Sequence, residues 1–301
     1  MRLVQTVTSS LLVTALLVYS QLTNAQITPV TQSPDATARP VVAANPESPT
    51  TAMPRRSDAQ DIAGKLTNPV AAMISVPFQF NYNQARGLDQ KGSMTSLTVQ
   101  PVVPISLNAD WNLIARPIMT GAIQNNIDGL SGTGVSPVLL ETFFSPTTSS
   151  RTIWGVGPFL STPSLSGSQY GTKQWGAGIS AVGLIRPGQW TIGMLGYQSW
   201  NVSGSGTPAI DPGGTANNTY WQPFISYVTK NAWTYGVNTE SSFNWDTRRA
   251  ANPMNATVSK LVFIGEMPVS FTLGARYYLS SVPGGASGWG ARLSVTFVFP
   301  E

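Results

Sequence analysis

Few residues in this 301-residue chain could do chemistry: Arg116, Glu141, Glu240, Lys260, Arg276 and Arg292, each inside a run of alternating residues. Side chains on a strand point to opposite faces with period two. From residue 269, apolar Val269, Phe271, Leu273, Ala275 and Tyr277 alternate with Ser270, Thr272, Gly274 and Arg276. From residue 289, Trp289, Ala291, Leu293, Val295, Phe297 and Phe299 alternate with Gly290, Arg292, Ser294 and Thr296. Arg276 and Arg292 therefore belong to polar faces. Glu240 shares its face with Asn238 and Asn244, and Arg116 shares its face with Asn112. Glu141 and Lys260 are harder to place, because their strands carry apolar residues on both parities. An isolated buried charge costs several kcal/mol, so inward charges need water or a partner. Glu240 or another inward carboxylate is the expected partner of the two arginines. Such a set fits a hydrated passage with ion-pair ladders or a salt-bridged plug, and either closes a barrel or guides a solute.

The composition removes other chemistry. The chain has no histidine and no cysteine. That excludes histidine-based acid/base catalysis, Ser-His-Asp triads, histidine- or thiolate-bound zinc, and disulfides. The expectation is therefore that the chain is not an enzyme and binds no metal or cofactor. The formal net charge is +4 and the basic residues are scattered. No electrostatic footprint for nucleic acid results.

These residues need elements to position them. Charged residues make up 10% of the chain, against about 25% in soluble domains. Yet no stretch after the N-terminus is apolar for the ~18 residues of a spanning helix. Alternating strands in a membrane produce that combination, with apolar faces in lipid and arginines inside a closed barrel. A soluble β-sandwich is the lesser alternative.

The N-terminus reads as an export signal. Arg2 is followed by an apolar core from Leu11 to Tyr19, and Thr23-Asn24-Ala25 predicts cleavage after Ala25. Residues 26–57, rich in Pro, Thr, Ala and Ser, read as a disordered linker. From Asp58 the spacing of Ile62, Leu66, Val70 and Ile74 predicts a short amphipathic helix, ended near Asn68 by Pro69. It would lie against the membrane or plug one barrel end.

About twelve alternating segments follow, an even number as a single-chain bacterial barrel requires. The connections after Thr120, Leu160, Trp200 and Trp245 read as ten or more residues long, and those after Val103, Ile185, Thr229 and Ile264 as short. Long external loops and short periplasmic turns give that asymmetry. Trp233, Tyr235, Phe243 and Trp245 share one face with Val237 between them, as interfacial girdles do. Twelve strands imply a narrow, partly occluded passage.

Several strings together resemble one family: Leu66-Thr-Asn-Pro-Val-Ala, Ile74-Ser-Val-Pro-Phe-Gln, Gln100-Pro-Val-Val-Pro-Ile, Asp110-Trp-Asn-Leu-Ile, Lys173-Gln-Trp-Gly-Ala-Gly, Gln222-Pro-Phe-Ile-Ser-Tyr, Asn238-Thr-Glu-Ser and Gly288-Trp-Gly-Ala-Arg-Leu. The chain is similar from Asp58 to Glu301 to the bacterial outer-membrane transporters of the MetA-pathway of phenol degradation, some of which carry the label neuromedin U. The resemblance implies an outer-membrane β-barrel and uptake of aromatic or other hydrophobic small molecules. Two departures stand out. Gly134-Val135-Ser136-Pro137 replaces a Gly-Asp turn, and the chain ends Phe299-Pro300-Glu301 where many barrels finish on an aromatic. Phe299 is expected to serve the barrel-assembly machinery from two residues inside. The expected partners are outer-membrane lipid and a small solute; the alternative is a structural or adhesive barrel acting through its external loops.

Overall fold

Alternation becomes a closed wall in the computed structural model, which describes residues 58–148, 151–204 and 216–299. The predicted leader and the whole of the predicted linker lie outside the described residues. A short helix α1 (Ala59–Leu66) precedes fifteen strand segments, all paired antiparallel. They are β1 (Ile74–Arg86), β2 (Gly92–Val99), β3 (Val103–Ser106), β4 (Trp111–Ile127), β5 (Leu130–Val135), β6 (Leu139–Pro146), β7 (Thr152–Ser161) and β8 (Trp175–Ile185). Then come β9 (Trp190–Ser203), β10 (Asn218–Val228), β11 (Trp233–Thr239), β12 (Ser241–Asn244), β13 (Arg249–Ile264), β14 (Met267–Ser280) and β15 (Gly288–Phe299). β15 pairs with β1 from Ile74↔Phe299 to Asn83↔Gly290, so the sheet closes on itself.

Fifteen segments make twelve spans, the number the alternation predicts. β2 and β3 lie along the same strand, β4, and so do β5 and β6. The interruptions carry Pro101 and Pro137, whose missing N–H cannot serve a ladder. β11 and β12 both pair with β10 and β13, and part at Glu240. There the Glu240 N–H donates to the Pro253 carbonyl, 3.1 Å. Pro253 has no N–H to return, and the ladder breaks at the residue that carries the inward carboxylate.

The outward face is apolar and belted. Eight of the nine tryptophans are exposed. Trp111, Trp154, Trp190 and Trp233 lie near the ends next to short turns, and Trp175, Trp200, Trp245 and Trp289 near the opposite ends. From Trp190 to Trp200 is ten residues, which at a ~3.3 Å rise and ~40° tilt is roughly 25 Å, the height of a lipid-facing band.

Loop lengths differ in part from expectation. The short turns hold, at 107–110, 186–189, 229–232 and 265–266. The chain after Thr120 is strand, not a long loop: β4 runs to Ile127 and returns at Leu130. After Trp245, β13 begins at Arg249. Both segments continue their alternation beyond the belt, so they pair as hairpins. Only 162–174 and 204–217 remain long, and most of the second lies outside the described residues.

Of the two placements open to the helix, it takes the plug. Ile62 and Ala63 are buried with Ala71 and Met73 against Val228, Ala232, Leu261 and Val298, the inward residues at the turn end. The Thr67 hydroxyl meets that of Thr191, 2.7 Å away. Helix and following chain thus lie across one end of the lumen. As expected, Pro69 stops the helix, and Val70 joins a separate cluster with Ile114, Phe143, Val182, Leu184 and Leu195.

Candidate functional site

Above the plug lies a cavity of about 420 Å³. Four arginines and two glutamates face it: Arg86, Arg116, Arg276, Arg292, Glu141 and Glu240. A second cavity of about 230 Å³ lies against the helix, and Gln100 and Arg116 line both. Arg116 therefore stands at the waist between them.

Adjacent strands build the charged wall. β14 and β15 place Arg276 and Arg292 beside the break that presents Glu240. Arg292 grips both carboxylate oxygens, Nη1 to Oε1 at 2.8 Å and Nη2 to Oε2 at 2.9 Å. Arg276 Nη2 donates to Oε2 of the same carboxylate. Each Nε–H is held from behind by an asparagine, Arg276 by Asn255 Oδ1 and Arg292 by Asn81 Oδ1, both at 2.8 Å. Asn255 in turn donates to Asn238 Oδ1 at 2.7 Å. The guanidinium planes are thereby fixed, and a bidentate pair of this kind is both strong and directional.

A second pair stands lower. Arg116 and Glu141 are register partners on β4 and β6, and Nη1 donates to Oε2 at 2.9 Å. Glu141 is 2% exposed. Arg116 Nε is buried without a hydrogen-bond partner among the described residues.

The wall between these two charged groups is aromatic. Phe159, Tyr197 and Tyr220, from β7, β9 and β10, stack in series with centroids 3.9 and 5.2 Å apart. Tyr197 and Tyr220 face the cavity with Leu195, and the Tyr220 hydroxyl donates to Gln222 Oε1 at 2.9 Å. Glycines opposite the inner aromatics supply the room: a Cβ on Gly193 would lie 2.8 Å from Phe224 Cζ.

Five of the six charged residues singled out in the sequence share this lumen. Lys260 does not, and the expectation is corrected. Its neighbour Ser259 faces inward, while Lys260 pairs with Trp233 and Phe271 on the outer face. Its ammonium lies 5.4 Å from the Trp233 ring and donates to the Asn231 carbonyl in the turn. A long side chain near a membrane boundary can snorkel this way. Arg86 and the inner tyrosines were missed. Arg86 ends β1 just before a turn, and β9 carries bulky residues on both parities.

The far mouth is covered too. Within 162–174, a tight turn at Ser168–Tyr170 brings Gln169 and Tyr170 to the cavity wall. Gln124 Nε2 holds the Gln169 carbonyl at 3.2 Å, and Lys173 Nζ the Ser164 carbonyl at 3.0 Å. The Tyr170 ring lies where Gly134 leaves space, since a Cβ there would sit 2.3 Å from it. Gly134→Val should displace the ring and widen this mouth. The chain has no native cysteine, so a probe at Ser96→Cys on the inner wall reads the effect. Labelling by a membrane-impermeant maleimide should run several-fold faster when Gly134→Val is added, and an unchanged rate refutes the lid.

No family model matches the chain, and no curated relative matches it. Among solved structures, an outer membrane channel from Pseudomonas putida F1 is similar, with a TM-score of 0.57 and 13% identity over 76% of this chain and 96% of that one. That likeness shows the fold alone, a β-barrel matching those of bacterial outer-membrane proteins. Looser likenesses include the KdgM porin in complex with disordered oligogalacturonate, at a TM-score of 0.42 and 10% identity over 75% of this chain and 99% of that one. The outer membrane phospholipase A of Escherichia coli gives 0.43 and 12% over 74% and 95%. This last neighbour corrects the expectation that the chain is not an enzyme, because such barrels include one.

Proposed function

We propose that this chain is an outer-membrane channel or transporter for small solutes, exported through a leader cleaved after Ala25 and held in lipid by its belted outer face. The reading rests chiefly on a polar, charged lumen closed by a helix at one end and the 162–174 segment at the other. A barrel serving only as a scaffold has no need of a cavity between two covers. Inward folding of one of the longest loops also favours passage over an adhesive role. The resemblance to transporters of the MetA-pathway of phenol degradation adds aromatic or hydrophobic solutes as the candidate cargo. On this reading the Glu240 cluster and the Arg116–Glu141 pair line the path of the solute.

Reconstitution tests it. Purified mature protein in a planar bilayer should give small stepwise conductance with long closed periods, and liposomes should show solute flux. A protein silent in both, with the helix present and with it deleted, is not a channel. The assembly role proposed for Phe299, which closes β15 opposite Ile74, is tested separately. Phe299→Ala should lower the amount of heat-modifiable barrel in the envelope several-fold, and an unchanged amount removes the residue from that role.

A further inference from the structure

The two walls of the upper cavity differ in kind, and a ligand that satisfied both would have to be amphipathic. One side presents the fixed guanidinium groups of Arg276 and Arg292 around a single carboxylate. At the waist stands Arg116, whose buried Nε–H lacks a partner among the described residues. Leaving Arg86 aside, three arginines still face two carboxylates, so the wall holds an excess of positive charge. The adjoining wall presents Leu195, Tyr197 and Tyr220 at the end of a three-ring stack. Phe159 is the register partner of Glu141, and Tyr220 that of Ser242, two residues from Glu240, so one small molecule can touch both surfaces. The volume, about 420 Å³, falls in the range of roughly 300–1,000 Å³ for small-molecule pockets.

From this juxtaposition we infer that the lumen holds a binding site for a small aromatic monocarboxylate, its carboxylate on the arginine wall and its ring against the tyrosines. The inference deepens the channel reading and rests on the same cavity. A low-dielectric lumen with net positive walls concentrates anions and repels cations. A hydrogen bond to a charged group is worth more than one between neutral groups, so the charge of the ligand should matter as much as its ring. A neutral phenol or alcohol would satisfy the tyrosines and leave the arginine excess uncompensated.

The test uses the full mature protein in detergent and calorimetric titration with four probes: benzoate, benzyl alcohol, benzylamine and acetate. Benzoate should bind at least about tenfold more tightly than each of the others, a difference expected of a charge-assisted contact. Tyr220→Leu should bring benzoate towards acetate, and Arg116→Gln should bring it towards benzyl alcohol. Tyr220→Leu leaves both charged groups intact, and Arg116→Gln, which strands the buried Glu141 carboxylate, is read beside Arg116→Gln with Glu141→Gln, which leaves no unpaired carboxylate, each after its heat-modifiable shift has shown a folded barrel. Equal binding of benzyl alcohol, preference for benzylamine, or no binding of any probe overturns the inference. Bilayer recordings keep the two readings apart. Conductance without benzoate binding removes this site and leaves the channel, and benzoate binding without conductance does the reverse.

Discussion

Glu240→Gln should destabilise the barrel by about 3–5 kcal/mol, the cost of removing one partner from a buried ion cluster. Arg276 and Arg292 would be left with no carboxylate while their side chains remain 8% and 5% exposed. Their Nε–H groups keep Asn255 and Asn81, which hold them in place and prevent escape to bulk water. Water in the cavity offsets part of the loss, so the lower end of the range is the firmer expectation. Urea unfolding of detergent-folded protein, followed by the heat-modifiable shift on gels, measures it. Glu240→Asp should cost less but lose the bidentate grip of Arg292. Replacing the cluster whole, with Glu240→Leu, Arg276→Met and Arg292→Met together, should recover most of the loss, because apolar triads of similar volume are often neutral or better. If Glu240→Gln leaves the unfolding midpoint unchanged, the cluster is hydrated and does not brace the wall.

Deleting residues 58–73 should raise conductance by roughly tenfold or more, since a twelve-strand barrel lies between filled eight-strand interiors and open sixteen-strand pores. The deletion removes Ile62, Ala63, Ala71 and Met73 and leaves the closing ladder of β1 and β15 untouched. Val228, Ala232, Leu261 and Val298 would then face water, so a small loss of thermal stability should accompany the opening. A milder version is Ile62→Asp, which puts an unpaired charge in that cluster and should lengthen open times without shortening the chain. Conductance unchanged in both would mean that the constriction lies elsewhere, with the 162–174 cover and the Arg116 waist the next candidates.

Much of this was readable from alternation. The clean period-two runs that carry Arg276 and Arg292 gave their facing, and the polar parity around Glu240 gave their partner. Twelve spans followed from counting such runs. What failed did so for identifiable reasons. Glycine- and asparagine-rich stretches after Thr120 look like loops by composition, yet the chain turns at Asp128-Gly129 and pairs with itself from Gly121↔Val135 to Ile127↔Leu130, across a register shift. Lys260 sits where both parities are apolar, and only pairing with Trp233 and Phe271 fixes its side. The aromatic inner wall was hidden for a related reason. Tryptophans outside and tyrosines inside both satisfy a strand, and the glycines that make room for inner rings read as neutral spacers. The coupling of Pro253 to Glu240 is a contact across strands, which no local pattern records.

Residues 67–73 are all that joins the plug helix to the first residue of β1. Seven residues reach at most about 25 Å when fully extended. A helix that swung out of the lumen would remain on this leash within a few nanometres of the mouth. Its effective concentration there would be of millimolar order, as for any short flexible linker. Re-entry is then a unimolecular step that no dilution can slow. A barrel stoppered in this way should open briefly and reclose by itself, with no second protein needed to reseal it.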